Sequence, residues 1–370
     1  RKNRRIRIKP TSTPLETLRC SLLAALALPC GFAAAATPLA DPVLEGITTS
    51  SVGMRWVIGE DGNGNAKVNV SWREAGGEWR AGSPLWRVEK DAHRSAKGGG
   101  SVSVPEGAAL FAGSLMMLQP ATTYEIRLSL SDPDGVGKEV TLKATTISEP
   151  IEPKDQTVFH VIPGDGGGTG SEQDPFKGLR QAQKASKPGV TFLLHPGVYT
   201  GGMVINKGGE PGKPVIWRAQ RKDEAIIDGK GTPNEKARLL DADNTQHVWI
   251  EDLVICNGNK GVTGNGASHL VVRGCHIHNV EYGINGSLNE KDTMRGWFIA
   301  DNFVEGPSTW PRTKGIENAR GIQVTGEGHE ICHNRIRAFA DAINTFSSVR
   351  CVGIDIHHNE ISECTDDGIE

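Results

Sequence analysis

Three carboxylates, Asp366, Asp367 and Glu370, fall within five positions around a Gly368-Ile369 pair. Acids held this close repel unless something positive sits among them. Ca2+, which takes about six to eight oxygens, suits such a set, with water or substrate completing its shell. The plainer alternative is a polar turn in which the aspartates cap backbone amides. Upstream lie residues of the opposite kind: Arg312, Lys314 and Arg320, with Tyr282 and Trp310 nearby in the pattern. A cation can neutralise a sugar carboxylate, which acidifies the neighbouring C–H, and a Lys, Arg, His or Tyr can remove that proton. Arg320, Lys314 and Asp341 are therefore the expected catalytic residues. Tyr282, Asn285, Trp310, Gln323 and Asn344 are the expected substrate contacts, and Asp366, Asp367 and Glu370 the expected Ca2+ ligands.

A repeat must bring these residues together. The stretch "VWIEDLVICNGNKGV" lies 22 residues before "LVVRGCHIHNVEYGI". Three aliphatic columns continue from it: Ile250, Val272, Ile299, Ile331, Ile356; then Ile255, Ile277, Val304, Ile336, Ile361; then Val262, Ile284, Ile322, Ile343, Ile369. One turn of three short strands cannot bury its own face, so successive turns must stack. Asn302, Asn334 and Asn359 recur between the first two strands, where stacked Asn side chains can bond up the ladder. Leu253 and Cys275 hold that place in earlier turns. In the third strand the residue after each inward one points out, giving Thr263, Asn285, Gln323, Asn344 and Glu370. Lys260, Tyr282, Arg320, Asp341 and Asp367 flank them. With rungs about 4.8 Å apart, this is a continuous polar strip. The insertions at 288–296 and 307–319 would rise beside it as walls.

Residues 41–148 follow a different grammar. "VGMRWVIG", "AKVNVSWRE" and "TYEIRLSLS" alternate apolar and polar with period two, separated by Gly, Asp and Asn. The run "LQPATTYEIRLSLSDPDG" resembles fibronectin type III domains, in which the tyrosine, here Tyr124, makes a tyrosine corner. Residues 149–159 read as a linker. Beyond it, Asp174 and Pro175 suit a helix start, with Phe176, Leu179, Ala182 and Ala185 at helical spacing. The Gly run at 164–170 lacks the Gly-Lys-Ser/Thr ending of a phosphate loop.

That helix, the following "KPGVTFLLHPGVYTGGMVI" and the "IHHNEIS" and "DDGIE" coils resemble secreted right-handed parallel β-helix proteins of the pectate-lyase-like superfamily. The resemblance covers 160–370 and implies an all-β chain: a β-sandwich followed by a right-handed parallel β-helix whose last rungs are truncated. It also implies an acidic polysaccharide as partner and β-elimination as the chemistry. The alternatives are a glycan-binding or cell-surface rod without turnover, or a β-helix hydrolase or epimerase. The Gly-His-Gly motif of polygalacturonase-like hydrolases has only "GEGHE", 326–330, to match it.

The remaining features set the compartment. Residues 1–36 read as an export signal, with a basic "RKNRRIRIK", an apolar Leu22–Phe32 core and small residues near Ala36. The core is too short to anchor in a bilayer. Without this segment 34 basic and 43 acidic residues remain, a net charge of −9, which excludes a nucleic-acid partner of the usual kind. The expected product is a secreted, periplasmic or cell-surface monomer. Five cysteines remain, an odd number with no CxxC pair, so neither a disulfide scaffold nor a structural zinc site is indicated. His276, His278, His333, His357 and His358 flank the first two strands, away from the strip, and read as surface or turn residues. His329 reads as a core residue.

Overall fold

The computed structural model describes residues 35–59, 61–88, 103–135, 137–287, 294–311, 317–345 and 351–370. The expected export segment, save its last residues, therefore lies outside the described residues, as do Arg312 and Lys314.

Residues 37–145 form two antiparallel sheets packed face to face. Val52–Gly59 pairs with Val43–Glu45 and Ala109–Leu115 in one, and Lys67–Glu74, Thr123–Ser131 and Lys138–Thr145 run side by side in the other. Period-two alternation puts Met54, Trp56, Ile58, Val68, Ile126 and Leu128 between the sheets. Tyr124 is buried there, and its hydroxyl accepts a 2.8 Å hydrogen bond from the Gln119 amide, five residues upstream. That is the bond a tyrosine corner makes.

The rest of the chain is a right-handed parallel β-helix. The three aliphatic columns pair in the register expected from the repeat: Ile250 with Val272, Ile299, Ile331 and Ile356; Ile255 with Ile277, Val304, Ile336 and Ile361; Val262 with Ile284, Ile322, Ile343 and Ile369. All but the last rung's members are fully buried, and Ile369 is half exposed. In the first two full repeats a single strand, Val254–Thr263 or His276–Asn285, runs through two faces. In the third repeat the insertion after Glu305 divides it into Phe303–Glu305 and Arg320–Gln323, and in the fourth it is two short strands, Arg335–Arg337 and Asp341–Asn344.

Two local readings need correction. The parallel stack begins at Thr157–Ile162, inside the stretch read as linker, because Val158 to Val161 pair with Thr191 to Leu194. The entry helix is shorter than its pattern: Phe176–Lys177 pairs with Val161–Ile162 as a strand, and only Leu179–Ala182 is α-helical, extended by a 3-10 turn over Gln183–Ala185. Asp174 accepts from the Thr169 amide instead of capping that helix. Leu179 and Ala182 nonetheless seal the end of the core, as a cap should. Gly261, Gly283 and Gly321 lie inside strands. A Cβ on Gly261, Gly283 or Gly321 would lie 2.5–2.6 Å from a carbonyl oxygen of the next rung. Glycine is there so that rungs can approach.

The sandwich is docked onto the β-helix. Thr48 and Ser50 donate to the Asp355 carboxylate at 2.6 and 2.9 Å, and Thr49 donates to Glu330. The connecting residues lie against the outer face of the first parallel sheet. There Arg218 pairs with Glu152, Arg273 reaches the Pro150 carbonyl, and a cavity of about 240 Å³ lies over Trp249, Val271 and Phe298.

Candidate functional site

The polar strip on the third strand is a connected network. In register, Lys260, Tyr282, Arg320 and Asp341 succeed one another on adjacent rungs, and Thr263, Asn285, Gln323 and Asn344 do the same beside them. The Lys260 Nζ lies 4.9 Å from the Tyr282 ring centre and donates to Asn285 Oδ1 at 2.8 Å. Asn285 Nδ2 donates to Gln323 Oε1 at 3.0 Å. The Arg320 Nε lies 3.2 Å from Asp341 Oδ2, and its Nη1 donates to the Asn318 carbonyl at 3.1 Å. Asn344 donates to Asp341 at 3.4 Å and to the Glu370 carboxylate. The contact between Lys260 and Asn285, from different rungs, establishes that these side chains share one face.

Packing side by side makes the strip drier than a solvated sheet face. Asn285, Asn344 and Asp341 are buried, and Thr263 is fully so, its hydroxyl without a partner. Burial, aided by the Arg238 guanidinium, holds the Lys260 ammonium below the usual lysine range. Burial raises the Tyr282 phenol, an effect that Glu281 reinforces and Arg320 opposes. The Asp341 charge, then burial, raises the Glu370 carboxyl, and Arg320 acts against that rise. The strip thus holds an amine less basic than an ordinary lysine, a phenol and a carboxyl harder to ionise than usual, and a guanidinium.

Most of the expected site residues meet here. Arg320, Asp341, Tyr282, Asn285, Gln323 and Asn344 lie in one network, joined by Glu370. Trp310 stands in solvent, 81 % exposed, on the segment leaving Gly306. Lys314 lies outside the described residues. Asp366 and Asp367 are held by their backbones: the Asp366 amide donates to the Ala340 carbonyl, and the Asp367 carbonyl accepts from the Ala342 amide. Among the described residues, the groups of three ligand atoms that converge within 4.8 Å are His333, His357, His358 and Glu330, Cys332, His357; Asp366, Asp367 and Glu370 form no such trio. Lys260 is the residue whose weight the sequence understated. It belongs to the flanking column, but its depressed basicity comes first from burial among neighbouring rungs and then from Arg238, which pairs with it from the preceding rung.

No family model matches the chain. A protein of Bacillus subtilis (strain 168), described as "Uncharacterized protein YwoF", is 22 % identical over 123 residues, which is 30 % of this chain and 26 % of that protein. The match therefore spans about a quarter of that relative's length. Among solved structures, the complex of XylC with xylose superposes with a TM-score of 0.41 at 10 % identity, covering 58 % of this chain and 64 % of that one. The catalytic domain of a GH87 α-1,3-glucanase with nigerose gives 0.24 at 12 % identity over 89 % of this chain and 66 % of its own. Such low scores leave the fold resting on the strand register itself.

Proposed function

We propose that the chain is an exported glycan-active protein that lays an acidic, uronate-containing polysaccharide along the third face and cleaves it by β-elimination. The observation that carries this reading is the succession Lys260, Tyr282, Arg320 on adjacent rungs, with the amine held below its usual basicity. Arg320, kept in place by Asp341, faces the sugar carboxylate and offsets the charge that builds on it. Neutral Lys260 takes the proton from the carbon beside that carboxylate. The electron pair left behind forms the ring double bond as the bond from the adjacent carbon to the glycosidic oxygen breaks. Tyr282, held protonated by burial, gives its proton to that departing oxygen. Asn285, Gln323 and Asn344 supply donors and acceptors along the sugar chain. Ca2+ would be a second means of neutralising the carboxylate, but Asp366, Asp367 and Glu370 do not converge as a ligand trio among the described residues, so no step is assigned to it. The sandwich is read as a fibronectin type III-like module flanking the β-helix. Among the described residues no helix is long and apolar enough to cross a membrane.

A second reading rests on Glu370. A carboxyl raised by a neighbouring carboxylate is the acid partner that glycoside hydrolysis uses. Products separate the two. Incubation with uronate polymers should release fragments bearing an ultraviolet-absorbing unsaturated terminus, and Arg320→Ala should lower turnover at least ~100-fold with the melting temperature nearly unchanged. New reducing ends without that absorbance would replace elimination by hydrolysis. Binding without turnover would leave a glycan-binding rod.

A further inference from the structure

Away from the strip, at the turn between the first two strand faces, three imidazoles converge. His333 and His358 occupy the same turn position in successive rungs, each in the left-handed backbone region at φ 56° and 54°. Their rings therefore stack, 5.0 Å apart and inclined by 20°. His357 precedes His358 and points outward from its strand, so that its Nδ1 lies 2.7 Å from the His358 Nδ1. One nitrogen from each of the three rings lies within 4.8 Å of the others.

The other side of His357 shows how the cluster is oriented. Its Nε2 lies 3.3 Å from the Oε1 of Glu330, a buried carboxylate whose second oxygen accepts from Thr49 of the sandwich. With Nε2–H donating to that carboxylate, the Nδ1 lone pair faces His358. A carboxylate that fixes one nitrogen of an imidazole and frees the other is the usual outer partner of a metal-binding histidine. That tautomer requires His358 to donate its Nδ1–H across the 2.7 Å contact when no metal is bound. An incoming ion takes its place when that proton moves to the other ring nitrogen of His358. The two nitrogens need only open from 2.7 Å to roughly 3.3 Å, the span of two ~2.0 Å Zn–N bonds at a tetrahedral angle.

We infer that His333, His357 and His358 form a site for a late divalent transition metal of the Zn2+ class, oriented by Glu330 and open to water at its fourth position. The site joins the last two rungs to each other and, through Glu330 and Thr49, to the sandwich. It is independent of the glycan chemistry on the third face.

The probe is Zn2+ alone, titrated calorimetrically into the full chain after chelator treatment. One equivalent should bind and raise the melting temperature. The double variant His357→Ala, His358→Ala should lose at least ~30-fold in affinity, and Glu330→Gln about 10-fold, while His247→Ala with His269→Ala, a stacked pair on another face, should change nothing. Circular dichroism shows whether each variant keeps its fold. A wild-type chain that takes up no Zn2+, or a His357/His358 variant that binds as wild type does, overturns the site.

Discussion

At the scale of single residues, burial decides which groups carry charge. His329 is fully enclosed. Its Nδ1 accepts from the Trp297 amide at 3.0 Å, and its Nε2 lies 2.9 Å from the Thr325 carbonyl, so both nitrogens are engaged with the ring neutral. Burial lowers its pKa to about 4. The unfolded chain therefore takes a proton near pH 6.5 that the folded chain refuses until about 4. The stability this residue contributes is complete above 6.5 and lost as pH falls toward 4, an effect of about 3 kcal/mol. Urea midpoints measured between these limits should drop with pH in the wild type and fall less steeply in His329→Gln. Lys260 shifts by the same cause with a different readout. As the eliminating base it works only when neutral, so kcat/KM should rise with pH through a pKa below that of an ordinary lysine, and Lys260→Met should abolish that limb. A pH profile that keeps the limb in Lys260→Met would move the base elsewhere. His329 could be recognised as structural from its place in the repeat. The shift of Lys260 could not, because its main cause is burial by side chains of neighbouring rungs, with Arg238 adding to it from a rung that precedes the aligned turns.

At the scale of elements, the repeat was legible because each inward residue is β-branched and recurs at the same point of a turn. Ile331, Ile336 and Ile343 announce a rung without any knowledge of its neighbours. Less legible were features set by what the next rung does. Gly283 looks like a turn residue, but it is glycine because Gly321 O passes 2.5 Å from where a Cβ would be. The Asn ladder was visible as a spacing, and the structure adds why it holds. Asn334 accepts from the backbone and side chain of Asn302 at 3.1 and 2.9 Å, and donates to Asn359 Oδ1 at 3.0 Å and to Ile299 O at 2.9 Å. The left-handed residue of each turn is the one before it, Asp301, His333 or His358. Removing the Asn334 carboxamide leaves several buried groups without partners, at about 1–3 kcal/mol each. Asn334→Ala should therefore destabilise the β-helix by roughly 2–4 kcal/mol. Asn359→Ala, half-buried and with fewer buried dependents, should lose clearly less. Equal urea midpoints for the two variants would show that the ladder is not cooperative.

At the scale of the whole molecule, the sequence indicated two domains and placed the boundary near the proline-rich segment, but it could not say that they pack. Contacts between distant segments have no local signature; Thr48 and Asp355 are 307 positions apart. Linked domains move freely by default unless their interface is well fitted, and here the fit rests on close backbone approach. Gly46 of the sandwich and Gly353 of the β-helix both adopt positive φ, 57° and 56°, and a Cβ on Gly353 would lie 2.3 Å from the Gly46 Cα. Substituting Gly353 by alanine therefore adds left-handed strain of about 1 kcal/mol and a wedge that rigid backbone cannot yield to. The atoms nearest the added Cβ all belong to the Gly46 backbone and none to a buried side chain of either core, so neither domain should unfold. Gly353→Ala should instead separate them. Calorimetry should resolve two transitions where the wild type shows one, and a protease should cut between 147 and 156 at least ~10-fold faster, since cleavage follows the population of the open form. Gly62→Ala, where a Cβ meets nothing within 4 Å, is the matched control. If Gly353→Ala keeps a single transition and the wild-type cleavage rate, the docking does not depend on this contact.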